Sequence, residues 1–143
     1  MTDTVESIFE SAVERYKAGE EPASLIPVFQ DICDRTPKSS AAWTCLAWLY
    51  LLSNKPAAAV KAAQKAVKLH PQDAQGQVNL AVAMLETGQK GVRQHIDIAM
   101  QLITLDSEMR DEIKQSIADG LERKPDWKSL ERVRKWLFEP SEG

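Results

Sequence analysis

Apolar residues recur along the chain with the spacing of an α-helix. In residues 4–18, for example, they return every three or four positions and would therefore share one face of a helix. Glycines and prolines interrupt the pattern at intervals, and no stretch alternates apolar and polar residues as a half-buried strand would. The pattern predicts about eight helices and no sheet, over residues 4–18, 23–35, 40–53, 57–69, 74–87, 92–104, 107–121 and 126–138.

The predicted helices come in pairs, which indicates an internal repeat of about 34 residues. The central pair shows the repeat most clearly, in a W-x2-L-[GA]-x2-Y pattern followed by spaced small residues and a closing proline. These positions are Trp43, Leu46, Ala47, Tyr50, Ala59, Ala66 and Pro71. The same spacing returns one repeat earlier, and one repeat later as far as Gly88. Beyond it, Arg93 and Asp97 stand where a small and a bulky apolar residue are expected, so this helix is predicted to slide or pack differently.

This pattern resembles the tetratricopeptide repeat (TPR) superfamily. The resemblance covers three repeats, residues 6–39, 40–73 and 74–107. It implies an all-α fold, a right-handed superhelical stack of antiparallel helix pairs known as a TPR-like α-solenoid. Because the ends of such a stack must be covered, we expect capping helices over 108–138, with Asp126 as the N-cap of the last one. Residues 139–143 would form a tail, and residues 1–143 a single domain.

The composition is that of an ordinary globular protein. The chain has 143 residues and a net charge of −3, which argues against a protein built mainly to bind nucleic acid. No apolar stretch is long enough to span a membrane, and the first residues do not resemble a secretory signal. Cys33 and Cys45 lack the spacing of a metal site. We therefore expect a cytoplasmic protein with reduced thiols.

The TPR resemblance implies a concave groove lined by the first helix of each pair. Helical geometry predicts ten groove residues in the second and third repeats: Thr44, Cys45, Trp48, Leu51, Leu52, Val78, Asn79, Val82, Leu85 and Glu86. Four of these, Trp48, Leu52, Val78 and Val82, are apolar although the repeat core does not require them, which favours a partner protein. The alternative is that the chain's own C-terminal helix, or a second copy, fills the groove.

Charge is unevenly distributed along the chain. Residues 1–36 contain three basic and eight acidic groups, for a net charge of −5. Basic residues gather near the C-terminus instead, at Arg123, Lys124, Lys128, Arg132, Arg134 and Lys135. A solvated helix face is the ordinary interpretation of such charges, and a contact with RNA or an acidic protein is the alternative.

The sequence shows no pattern of catalytic residues. His70 ends a helix beside Pro71, and His95 and Asp97 cannot point the same way from one helix. We expect no enzyme activity, no cofactor and no metal. The predicted function is that of an adaptor, scaffold or complex-assembly factor that binds a peptide or helix in its groove.

Three stretches, which begin at Ala41, Ala81 and Lys124, are also similar to short soluble TPR proteins of cyanobacteria and plastids. This second resemblance implies a role in photosynthetic complex assembly. Two other hypotheses remain open. One is a homo-oligomeric structural protein whose groove is self-filled. The other is a nucleic-acid-associated regulator that uses the basic C-terminal helix, although nucleic acid is not the expected partner.

Overall fold

The computed structural model describes residues 4–139, and within this range the chain forms eight α-helices and no strand. The all-α prediction is therefore confirmed. Residues 1–3 of the predicted domain and 140–143 of the predicted tail lie outside the described range. The helices are α1 (Val5–Lys17), α2 (Pro22–Arg35), α3 (Ser40–Leu52), α4 (Pro56–Leu69), α5 (Ala74–Glu86), α6 (Val92–Leu105), α7 (Ser107–Arg123) and α8 (Lys128–Phe138).

The first helix of each pair starts at a polar cap. Each capping side chain accepts a hydrogen bond from a backbone N–H of the first turn, which would otherwise lack a partner. The second helices α2 and α4 instead begin with a proline. Asp126 does not cap α8, because Trp127 occupies that position and offers no side-chain acceptor. The four caps follow the repeat along the chain: Thr4, Ser39, Asp73 and Asp106.

The turn within each helix pair contains at least one residue with a positive φ angle, at Gly19, Asn54 and Gly88. Glycine adopts this conformation at no steric cost, and asparagine tolerates it better than most residues. The third turn has a second such residue, Gly91, and α6 consequently begins 36 positions after α4, against 34 positions between α2 and α4. This shift accounts for the fading of the repeat pattern after Gly88.

The three pairs stack in chain order, α2 against α3 and α4 against α5. Ala47, Ala59 and Ala81 are fully buried, so neighbouring helices approach closely. We call the surface formed by the first helices α1, α3 and α5 the inner face. The last pair departs from the stack. Helix α8 packs on α5 and α6, whereas α7 contacts α6 and α5 and reaches residues of α3 and α1 on the inner face.

Candidate protein-binding site

Helix α7 lies against the inner face because residue 120 has no side chain. A Cβ atom at Gly120 would stand 2.7 Å from Leu130 Cδ2 and 2.8 Å from Trp48 Cη2, closer than such atoms pack. The Trp48 indole is only 8% exposed, and its ring centre lies 5.4 Å from that of Trp127. Glycine therefore allows α7 to rest directly on the tryptophan of the central repeat.

A polar cluster, which we call the clasp, joins α7 to the first and second repeats; it consists of Tyr16, Trp48, Asp119 and Arg123. The Tyr16 hydroxyl accepts a hydrogen bond from Trp48 Nε1 at 2.8 Å and donates one to the Asp119 carboxylate. Arg123 Nε donates to Asp119 at 3.1 Å, and its guanidinium lies 4.0 Å from the centre of the Tyr16 ring. Burial, reinforced by the hydrogen bond to Asp119, raises the pKa of Tyr16 above its usual value. The tyrosine therefore stays protonated and can donate to Asp119.

The connection between α7 and α8 is tied to the ends of α3 and α5. Lys124 Nζ donates to the Leu51 carbonyl at 3.0 Å and to Asn54 Oδ1 at 2.8 Å. Trp127 Nε1 donates to Glu86 Oε2 at 2.8 Å. Together with the clasp, these bonds fix α7 at the C-terminal ends of the first helices of all three repeats.

The ten predicted groove residues are mostly covered in this arrangement. Cys45, Leu85 and Glu86 are half-buried, and the other seven are buried: Thr44, Trp48, Leu51, Leu52, Val78, Asn79 and Val82. Asn79 is fully buried and uses its side chain within the fold, because its Nδ2 donates to the Thr44 carbonyl at 3.1 Å. That these ten residues bind a partner stays a prediction.

Part of the inner face remains open as a cavity of about 520 Å³ between α1, α3 and α7. Of the predicted residues, Thr44, Cys45, Trp48 and Asn79 line it. The remaining lining comes from the first two repeats, from Gln75 and from α7. No local pattern in the sequence predicts the α7 contribution, because the crossing of this helix is set by tertiary packing. These additional residues are Val13, Tyr16, Lys17, Phe29, Leu49, Gln75, Glu112, Gln115, Ser116, Asp119 and Arg123.

The cavity combines an apolar floor with a polar rim of mixed charge. Val13, Phe29 and Leu49 supply apolar surface, while the rim holds both acidic and basic groups from α1 and α7. Burial raises the pKa of the Cys45 thiol to about 12, so the thiol is protonated at neutral pH and a poor nucleophile. These groups suit the binding of an apolar side chain flanked by hydrogen-bonding groups.

The two histidines do not contribute to this cavity. His95 Nδ1 lies 2.8 Å from Oε1 of the buried Gln77, whose amide donates to the Pro71 carbonyl, and burial lowers the pKa of His95. His70 is exposed. Across residues 4–139, no three histidine, cysteine or acidic side chains gather as a metal site. None of the helices in that range has the length and hydropathy to cross a bilayer.

Comparison with known proteins agrees with the fold. A family model of the tetratricopeptide repeat matches residues 40–83. The type III secretion translocator chaperone SycD of Yersinia enterocolitica superposes with a TM-score of 0.68 at 19% identity, over 85% of this chain and 92% of that one. MamA MSR-1 C2 gives a TM-score of 0.62 at 17% identity, over 94% of this chain and 79% of that chain. The sequence has no significant match among curated proteins.

The tetratricopeptide repeat match covers residues 40–83, and the helices of residues 4–139 share the helical solenoid fold of these solved structures. Its likeness to SycD and MamA, at under 20% identity, is a likeness of fold.

Proposed function

We propose that the chain is a non-enzymatic protein-interaction module that holds a segment of a partner protein in the cavity between α1, α3 and α7. The observation that carries this proposal is the open cavity of about 520 Å³ on the inner face, with its apolar floor and polar rim. Ligand sites in proteins are typically concave, mostly apolar and of this size, with a few polar groups that fix orientation.

The lining indicates the chemistry of the partner segment. An apolar anchor side chain would replace water mainly over the half-buried Val13 and over the small exposed parts of Phe29 and Leu49, and such burial is favourable in proportion to the apolar area covered. The rim does not favour one sign of charge, because Asp119 and Arg123 pair with each other. A segment with one or two apolar anchors and little net charge fits this cavity best.

The comparisons support a binding role without identifying a partner. SycD is named a translocator chaperone, which describes that protein, and a solenoid of the same fold offers the same kind of inner face here. No comparison bears on photosynthetic complex assembly, which stays a prediction from the sequence. Adaptor, scaffold and assembly factor all remain within the proposal, since each requires a bound partner segment.

The test plugs the cavity and measures peptide binding. Peptides selected from a displayed random library against the native chain are titrated against Ser116→Trp, which places an indole on the α7 wall of the cavity. Ser107→Trp, the same substitution at an exposed position of the same helix, is the matched control. We expect Ser116→Trp to weaken binding about tenfold or more and Ser107→Trp to leave it unchanged.

Both variants must first show the thermal unfolding transition of the native chain. Selected peptides that bind the plugged variant and the native chain equally would refute the cavity as the binding site. If no peptide from the library binds the native chain, the proposed chemistry of the partner segment is refuted.

A further inference from the structure

Helix α8 presents a positively charged surface that the cavity does not use. Its exposed cations are spaced at i, i+4 and i+7, and one further cation comes from the first turn of α6. We call this surface the basic face; it consists of Arg93, Lys128, Arg132 and Lys135, of which Arg93 and Arg132 lie over the Trp136 ring. Among the described residues, none of these four cations forms an ion pair, whereas Arg15, Arg35, Arg123 and Arg134 all do.

Two guanidinium groups of the basic face share one aromatic ring. Arg93 Cζ lies 5.0 Å and Arg132 Cζ 4.8 Å from the centre of the Trp136 ring. The indole holds both arginines in place, yet the two like charges repel each other. Carboxylates placed against them would offset this repulsion. Because the guanidinium groups lie over the indole, little of it is left for stacking by a nucleic-acid base, so the geometry favours an acidic protein surface.

A surface of that kind lies at the other end of the stack. Glu6, Glu10 and Glu14 follow one another at every fourth position of α1 and are all exposed, and we call them the acidic face. Within the described chain, Glu6 and Glu10 have no ion pair, and Glu14 has only a 4.0 Å contact with Lys17. Four helical residues rise about 6 Å, so the carboxylates and the cations of α8 recur at nearly the same interval.

We propose that the chain associates with itself head to tail, the basic face of one copy resting on the acidic face of the next. The acidic face belongs to α1 and the basic face to α6 and α8, so a pair of bound copies keeps one face of each kind free. Such a heterologous contact extends into an open chain or closes into a ring. The cavity is on the side of α1 that carries Val13 and Tyr16, so the proposal is independent of partner binding there.

Sedimentation velocity over a concentration series tests the association. At an ionic strength of about 0.01 M, where the Debye length is about 30 Å, we expect the mean mass to rise with concentration. At about 1 M, where that length is about 3 Å, we expect monomer. A native chain that stays monomeric at every concentration in low salt would overturn the proposal.

Reversing the charge of each face tests whether the basic and acidic faces mediate the self-association. The double variants Arg93→Glu/Arg132→Glu and Glu6→Lys/Glu10→Lys should each weaken self-association about tenfold or more, since several exposed pairs become repulsive. An equimolar mixture of the two should associate again, because each face of one variant then meets a face of opposite charge on the other variant. Lys61→Glu/Lys68→Glu is the control for Arg93→Glu/Arg132→Glu, since both lysines are exposed on α4, have no ion pair among the described residues and give the same change in net charge.

Three further results would each overturn the proposal. The first is equal weakening in the control, which would show a general effect of net charge. The second is a mixture that fails to associate. The third is a native chain that stays monomeric yet binds a glutamate-rich peptide or a polyuridine oligonucleotide through the basic face, which would assign that face to a foreign acidic protein or to nucleic acid.

Discussion

Replacing Gly120 with alanine should detach α7 from the inner face, although alanine is the better helix former. The added Cβ atom would lie 2.7 Å from Leu130 Cδ2, 2.8 Å from Trp48 Cη2 and 2.9 Å from Trp48 Cζ2. Leu130 is fully buried and Trp48 is fixed by its hydrogen bond to Tyr16, so neither side chain moves aside without cost. The helix must shift or the core must deform.

The chain contains a control for the helix-forming effect of the same substitution. Gly76 is also buried within a helix, but the nearest atoms to a Cβ there are all at 3.7 Å, an ordinary contact distance. Gly76→Ala should therefore stabilise the fold by about 1 kcal/mol through helix propensity. Gly120→Ala gains the same stabilisation from helix propensity, but it loses about 1–3 kcal/mol because the added methyl group overpacks the core. Its free energy of unfolding should fall by up to about 2 kcal/mol.

Urea unfolding of the native chain and both variants measures the difference, and a thermal scan should show about 2–4 °C per kcal/mol for a chain of this size. A double-mutant cycle with Trp48→Phe sharpens the assignment, because phenylalanine lacks the two ring atoms that Gly120→Ala would meet. The cost of Gly120→Ala should then shrink. If Gly120→Ala instead stabilised the chain as much as Gly76→Ala, the proposed contact between α7 and Trp48 would be refuted.

Three further predictions concern single polar contacts. Tyr16→Phe leaves the Trp48 N–H without its acceptor and should lower the free energy of unfolding by about 1–3 kcal/mol. Because the pKa of Tyr16 is raised in the folded chain, the native chain should also lose stability as the pH rises above 10.0, the usual pKa of tyrosine, and the variant should lose less. The pKa of His95 is lowered, so the unfolded chain binds its proton more readily, and native stability should fall as pH drops below 6.5; an equal fall in His95→Gln would contradict this. Trp127→Phe removes the hydrogen bond to Glu86 and should cost about 1–2 kcal/mol by urea unfolding, a prediction that fails if the cost is nil.

The helices were predictable from sequence because their signals are local. A cap such as Ser39 or Asp73 and a turn residue such as Asn54 act through neighbours within four positions, so their effect is readable from spacing alone. Asp126 shows the limit of such signals. It is a good capping residue type, but the backbone of the preceding turn places Trp127 at the cap instead.

The position of α7 was not predictable, because the residues that set it are far apart in the chain. The sequence pattern places Tyr16 on the apolar face of α1, and it places Arg123 in a cluster of basic residues. Only the fold brings both to Asp119. From the sequence, Gly120 is only a residue of low helix propensity. In the structure, its lack of a Cβ atom leaves the space that the Trp48 ring occupies. Tertiary packing decides the role of each of these residues.

The clasp and the open cavity share Tyr16, Asp119 and Arg123, and this overlap has a consequence for any partner. Only three of the seventeen residues of α7 are buried, so its attachment relies on the Gly120 contact and the polar bonds more than on apolar area. A segment confined to the cavity covers the apolar floor without disturbing these bonds. A longer segment that follows the inner face toward α5 meets α7, and must exchange contacts with the clasp to proceed. If the cavity binds a partner segment as proposed, the stability of α7 would set a free-energy cost on longer segments and would favour short ones with a compact apolar anchor.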